Sequence, residues 1–456
     1  MKIKVSNLGH VQSAELTLSD FTIVCGNNNT GKTYLSYVIG EFFSYWWEEY
    51  ELDLGDRMID PLFEKGNVSV TLENLLDKGQ DFVNAACESY SKKIKKVLTT
   101  EQESMSKAKL EIKIEKNDLS PLDTFKRTMG AKGDVFSILK DKGSNTISIS
   151  LLVDRNSVEI PKRVLARSIG DAIKEIIFAS TFPMPTILPA ERTGIEMFQT
   201  ELDFARSKVL DTLKDEEGEI DPFLILDRVD KDYAMPIDRA IGAVRGIGKT
   251  VQKMSYIANK HPHIIKSMNL IIGGDVLYSN RVLYFIPEGD EQIRLTIRES
   301  SSSVRSLVDL VIYLKHGAQK GDILMIDEPE LNLHPENQRK LTRLFAQIAN
   351  AGIKVYITTH SDYIVKELNN LTLISVISKK DKAKLFKEYG HVETELIKRE
   401  KCAVYIASEL SKDDDRRTHR YTFEEAEYRF AGFKLDDFDK AINEMNNIQD
   451  YLFYGD

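Results

Sequence analysis

A chain of 456 residues, 42% of them hydrophobic and 29% charged, can bury one large core or two smaller ones, and its composition excludes a disordered or fibrous chain. No apolar run approaches the roughly 20 residues that cross a bilayer, and Met1–Gly9 lacks the apolar core of a signal peptide, so a cytoplasmic chain without membrane contact is expected. A net charge of −9, from 62 basic and 71 acidic residues, argues against nucleic acid as the main ligand: DNA is a possible partner but not one the charge indicates.

In chain order, Ile3–Val5 and Ala14–Leu18 alternate as short strands around a turn at Asn7–Gly9, and Phe21–Cys25 is a third strand running into a glycine-rich loop. Beyond the loop, Leu35, Val38, Ile39, Phe42, Phe43, Trp46, Trp47 and Tyr50 recur at helical spacing, an aromatic stripe that suits a core. Residues 55–140 read as mostly helical, polar and rich in Lys and Glu; Lys92, Lys93, Lys95 and Lys96 form a solvated face. Strand character returns at Thr146–Val153, a helix at Val164–Phe178, and helices again over 195–267, with an acidic loop at Lys214–Asp221. Short strands follow at Asp275–Tyr278, Val282–Ile286 and Gln292–Ile297. A helix at Val304–His316 precedes strand Ile323–Ile326, helix Glu336–Ala351, strand Lys354–Thr358, helix Tyr363–Asn369 and strand Leu373–Ser378. Glu424–Phe438 and Ala441–Leu452 carry apolar residues at helical spacing. This alternation implies an α/β fold interrupted by helical insertions. Cys25, Cys87 and Cys402 lack metal-ligand spacing and read as reduced apolar residues.

Four motifs carry chemistry. Gly26-Asn27-Asn28-Asn29-Thr30-Gly31-Lys32-Thr33 fits G-x-x-x-x-G-K-[ST] between a strand and a helix. Its backbone N–H groups can curl around phosphates, Lys32 can reach the β- and γ-phosphates, and the Thr33 hydroxyl suits Mg²⁺. Ala243–Thr250 also ends in Gly-Lys-Thr, but alanine stands in the first glycine position and no strand precedes it, so a break between helices is expected. Ile323–Ile326 delivers Asp327 and Glu328 at a strand's C-terminal end; Asp327 suits Mg²⁺ and Glu328 the general base. His360 follows the next strand, where a neutral imidazole can bond the γ-phosphate and the attacking water. Ser300–Ser303 open a helix, a setting that suits an anion.

In this order the motifs resemble the Walker A, Walker B, switch-histidine and signature elements of ABC-type ATPases. The N-terminal stretch, Leu188-Pro189-Ala190-Glu191-Arg192 and Ile326–Pro335 are similar to the RecF, SMC and OLD branch of the AAA family. The resemblance implies an ABC-type P-loop head with a mixed or parallel sheet. It divides the chain into head pieces 1–54, 141–194 and 268–400, helical insertions 55–140 and 195–267, and a C-terminal helical region 401–456. It further implies ATP and Mg²⁺ as cofactors, a homodimer or higher homo-oligomer closing around ATP, and Ser302 and Ser303 contacting the γ-phosphate bound by the partner copy. Two departures stand out. Ser303 occupies the position usually held by glycine, which implies slow hydrolysis. Leu188–Arg192 stands in place of a Q-loop glutamine, with Glu191 or Arg192 near the nucleotide. Asp413-Asp414-Asp415 follows no apolar strand and reads as solvated loop, so the nuclease site of the OLD enzymes is not expected. A chain of this kind resembles the stand-alone ATPases of anti-phage systems such as PARIS and Septu, whose effector is a separate nuclease or toxin encoded nearby. A RecF- or SMC-like DNA clamp in repair is the alternative.

Overall fold

The computed structural model describes residues 1–129, 135–152, 161–198, 233–290, 292–410, 420–434 and 436–454. Nine strands form the main sheet: β1 (Lys2–Leu8), β2 (Val11–Thr17), β3 (Phe21–Cys25), β4 (Lys109–Lys113), β5 (Pro185–Leu188), β6 (Ile323–Asp327), β7 (Lys354–Thr359), β8 (Cys402–Glu409) and β9 (Tyr421–Glu425). Their order is β4-β1-β2-β9-β8-β3-β7-β6-β5. From β8 through β3, β7 and β6 to β5 every pairing is parallel, whereas β4, β1 and β2 pair antiparallel. The fold is thus mixed α/β. Strands of a parallel sheet covered on both faces are apolar throughout, and β3 and β6 are buried at every position.

The helices used below are α1 (Lys32–Glu48), α2 (Gly79–Ser91), α3 (Lys162–Phe178), α4 (Met235–Arg245), α5 (Pro262–Ile272), α6 (Ser302–Ile312), α7 (Pro335–Asn350), α8 (Asp362–Val376) and α9 (Asp436–Tyr454). Side chains alternate across the sheet and build a core on each face. Val24, Met325 and Tyr356 point toward α1 and α3, against Phe42, Phe43, Trp46, Phe178 and Phe182. Phe21, Ile23, Leu324, Ile326, Val355 and Ile357 point the other way, into a core with Leu341, Phe345 and Leu368. The aromatic stripe on α1 is therefore core, as its spacing suggests, and all three cysteines are buried thiols. Among the described residues, no helix is long and apolar enough to cross a membrane.

Three stretches differ from the sequence reading. Residues 55–140, expected to be mostly helical, contain β4 at the sheet edge. They also supply Asn67–Thr71, Phe125–Met129 and Phe136–Lys140, which join Thr146–Leu151 in a four-stranded antiparallel sheet. The Lys and Glu residues of Lys109–Lys113 mark the outer face of an edge strand whose Leu110 and Ile112 are buried at period two. The C-terminal region is not wholly helical either, since β8 lies directly beside β3. The apolar spacing over 424–438 is divided among the end of β9, a hairpin pairing Tyr428–Arg429 with Gly432–Phe433, and the start of α9. Leu373–Ser378, expected as a strand, continues α8 as far as Val376, because Leu371, Thr372 and Ile374 bury a helical face. Over 195–267, the described residues 195–198 and 233–267 are mostly helical, whereas the acidic loop at 214–221 and Asp413–Asp415 lie outside the described residues.

Candidate functional site

The glycine loop connects β3 to α1 at the C-terminal edge of the parallel strands, and its glycines are sterically required. Gly26 has φ +150°, and a Cβ there would lie 2.6 Å from Cβ of Ala407 on β8. Gly31, at φ +91°, would place a Cβ 2.5 Å from Cγ2 of Val11 on β2. Both positions let the loop fold tightly over the sheet edge. Thr30 donates its hydroxyl to Asn27 O at 3.0 Å, while Asn27, Asn28 and Asn29 are exposed. Lys32 donates its ammonium to Gly26 O at 2.9 Å and Asn27 O at 2.8 Å, and its burial lowers its pKa.

The acidic corner lies two strands away, at the end of β6, and hydroxyls connect it to the loop. Thr33 Oγ1 donates to Asp327 Oδ2 at 2.8 Å, and Thr358 at the end of β7 donates to Asp327 Oδ1. Burial pushes the Asp327 carboxyl up to about 6 against these two hydrogen bonds. Glu328 adopts φ +47°, uncommon for a side chain with a Cβ, and its N–H donates to Thr358 O at 3.1 Å. His360 Nδ1 lies 3.5 Å from Glu328 Oε1 and 3.3 Å from Glu330 Oε1. The hydrogen bond to His360 holds the Glu328 carboxyl below its ordinary range and, with Glu330, raises the His360 pKa. These carboxylates shift the imidazole toward its protonated form, which donates at both nitrogens.

Glu330 is 5% exposed. Its Oε1 accepts from Thr359 Oγ1 at 2.6 Å and from His360 N at 2.9 Å, which fixes the turn that presents the imidazole. The sequence reading assigned no role to Glu330, Thr358 or Thr359; the polar pair Thr358-Thr359 ending an apolar strand directly before His360 was the available signal. Leu188–Arg192 follows β5, next to the acidic corner. Glu191 is exposed, accepts from Tyr37 OH at 3.1 Å, and adds to the rise in the Asp327 pKa. Arg192 turns inward and donates to the carbonyls of Asp327 and Glu328.

Ser301 caps α6 by accepting from Val304 N at 3.3 Å, and its hydroxyl is 2.8 Å from that of Ser303. Ser302 is exposed and Ser303 half-buried at the helix start. The stretch before the second Gly-Lys-Thr breaks between helices, as expected: α4 ends at Arg245, Gly246 caps it, and a short helix spans Ile247–Thr250.

Residues Gly26–Thr33, Asp327, Glu328 and His360 thus converge at one edge of the sheet. The glycine cradle and the helix start of α1 suit a phosphate chain. The hydroxyl of Thr33 with the carboxylate of Asp327 is a donor set for Mg²⁺, an ion that takes few protein ligands when phosphates supply the rest. Residues 190–365 match the family model described as the AAA ATPase domain. The match covers less than half of the chain. It spans Arg192, α6, Asp327, Glu328 and His360, whereas the glycine loop lies before it.

Among solved structures, the chain is similar to an SMC head bound to the C-terminal winged-helix domain of ScpA, at 10% identity and a TM-score of 0.34, covering 93% of this chain and 96% of that one. It is also similar to the Pyrococcus furiosus Smc head with an extended coiled coil bound to the C-terminal domain of ScpA, at 11% identity and a TM-score of 0.33, with 98% of each chain covered. For the SMC head domain from Thermotoga maritima the identity is 9% and the TM-score 0.30, covering 93% of this chain and 98% of that one. No curated protein matches the chain.

Proposed function

We propose that the chain is an ATP-hydrolysing switch: two copies close around ATP, separate after hydrolysis, and thereby control a protein effector, a nuclease or toxin, in bacterial anti-phage defence. The observation that carries this reading is the hydroxyl–carboxylate chain Thr33–Asp327–Thr358, which joins the glycine loop to Glu328 and His360. The backbone N–H groups of Gly26–Thr33 hold the phosphates, and Lys32 exchanges the Gly26 and Asn27 carbonyls for β- and γ-phosphate oxygens. Thr33 and Asp327 would hold Mg²⁺, which when bound neutralises charge on those oxygens. Glu328 accepts a proton from the attacking water; the water oxygen bonds to the γ-phosphorus while the bond to the β–γ bridging oxygen breaks, giving ADP and phosphate. His360 donates to the γ-phosphate. Ser302 and Ser303 of the second copy complete the site from the other side. Ser303 in place of a glycine limits close backbone approach there, which favours slow hydrolysis suited to a switch.

A protein effector is supported by the exposed Met445, Ile448, Leu452 and Phe453 on α9, and the defence setting by the resemblance to stand-alone anti-phage ATPases. The net charge of −9 weighs against the DNA-clamp alternative. Mass measurement of the Glu328→Gln variant tests the switch. With ATP the mass should double, and with ADP it should return to that of one copy; a mass independent of nucleotide would refute closure.

A further inference from the structure

Arg192 is 1% exposed, and its hydrogen bonds go to main-chain carbonyls of three separate elements. Nε donates to Ser306 O at 2.7 Å, in the second turn of α6. Nη1 donates to Pro189 O at 3.0 Å in its own loop and to Asp327 O at 2.7 Å, and Nη2 donates to Glu328 O at 2.9 Å. A guanidinium is costly to bury unless its donors are satisfied. Its planar fork, with donors in fixed directions, reaches α6 and the end of β6 together, which the single point charge of a lysine does not.

The four carbonyls it selects matter. Two belong to the residues of the acidic corner, one to its own loop, and one to the helix whose first turn carries Ser302 and Ser303. The backbone of Glu328, at φ +47°, is held on both sides: its N–H by Thr358 O and its C=O by Arg192. Such a conformation persists only where its surroundings over-determine it. A rearrangement at this peptide must therefore break the Arg192 bond or move the guanidinium, and with it the Ser306 carbonyl of a rigid helix.

We infer that Arg192 is a positioning residue that couples the acidic corner to the start of α6, so that the nucleotide state at Glu328 sets the placement of the serines this copy offers to its neighbour. The inference deepens the switch proposed above and rests on it for the role of the serines. Its test is built to stand apart from closure. Arg192→Lys keeps the charge and removes the fork; both it and the wild-type arginine are placed in a Ser302→Arg background, which prevents a second copy from covering α6. Thermal melting, binding of a fluorescent ATP analogue, and hydrogen exchange at the amides of Ser303–Leu307 are then measured in the full chain.

With arginine, ATP should slow exchange at these amides. With lysine, ATP affinity should stay within about threefold while that slowing shrinks about tenfold, the size of effect that loss of a coupling contact gives. Equal ATP-dependent protection in the two proteins would overturn the coupling. So would a lysine variant that fails to fold, or that loses ATP binding in step with its melting temperature, because Arg192 would then only hold the fold together. Failure of closure itself is read separately, as a mass of the Glu328→Gln variant that ATP does not change.

Discussion

On the proposed reading Lys32 and Glu328 divide the work of the site, and their substitution should separate binding from chemistry. The ammonium of Lys32 rests on two carbonyls of its own loop, ready to be exchanged for phosphate oxygens. Lys32→Ala removes that charge and should weaken ATP binding by about 100-fold or more, the loss expected when charge-assisted hydrogen bonds worth about 3 kcal/mol disappear; nucleotide titration reads it. Glu328→Gln keeps the side chain's shape and its neighbour His360 but cannot accept the proton. Phosphate release should slow by a factor of about 10² to 10⁴ with ATP still bound, and hydrolysis at the unaltered rate would remove Glu328 from the role of base. At this scale most of the site was legible in the sequence, because the phosphate loop and the acidic pair need fixed residue types at fixed spacing. Glu330, Thr358 and the main-chain partners of Arg192 were not. Their importance lies in which atoms they meet across more than twenty residues of intervening chain, and residue type alone does not carry that information.

Strands β3, β6 and β7 were visible as elements because a parallel strand buried on both faces is a short continuous apolar run. Edge strand β4 was hidden by its charged outer face, and β8 by the brevity of its Ala403–Ile406 run, which fits a strand or a buried helical turn equally well. The C-terminal hairpin shows how local pattern gives way to tertiary contact. Gly432 has φ +106°, and a Cβ there would lie 2.3 Å from Cγ of Asn369 on α8. Asn369 in turn donates to Phe433 O at 3.0 Å and accepts from Phe433 N at 2.8 Å. Gly432→Ala should therefore destabilise the fold by about 1–3 kcal/mol through backbone strain and lost hydrogen bonds. Thermal or denaturant unfolding checks this, and an unchanged melting temperature would show that the hairpin is not locked to α8.

Over the whole molecule, the sheet order brings the strands carrying the glycine loop, His360 and Asp327-Glu328 side by side, as β3, β7 and β6. Arg192 then ties the end of β6 to α6, the helix that begins with the serines. One copy thus carries a glycine loop and an acidic corner, together with a serine-lined helix start, and the proposal is that the loop of each copy holds the phosphates and is completed by the helix start of the other. Site-directed disulfide crosslinking tests this most directly, since the chain's own Cys25, Cys87 and Cys402 are buried. A copy carrying Asn28→Cys is mixed with one carrying Ser302→Cys, both also carrying Glu328→Gln, and the mixture is oxidised with ATP, with ADP or without nucleotide. The account predicts a crosslink between the two kinds of copy with ATP and its loss with ADP; no crosslink in the presence of bound ATP, or equal crosslinking without nucleotide, would contradict it.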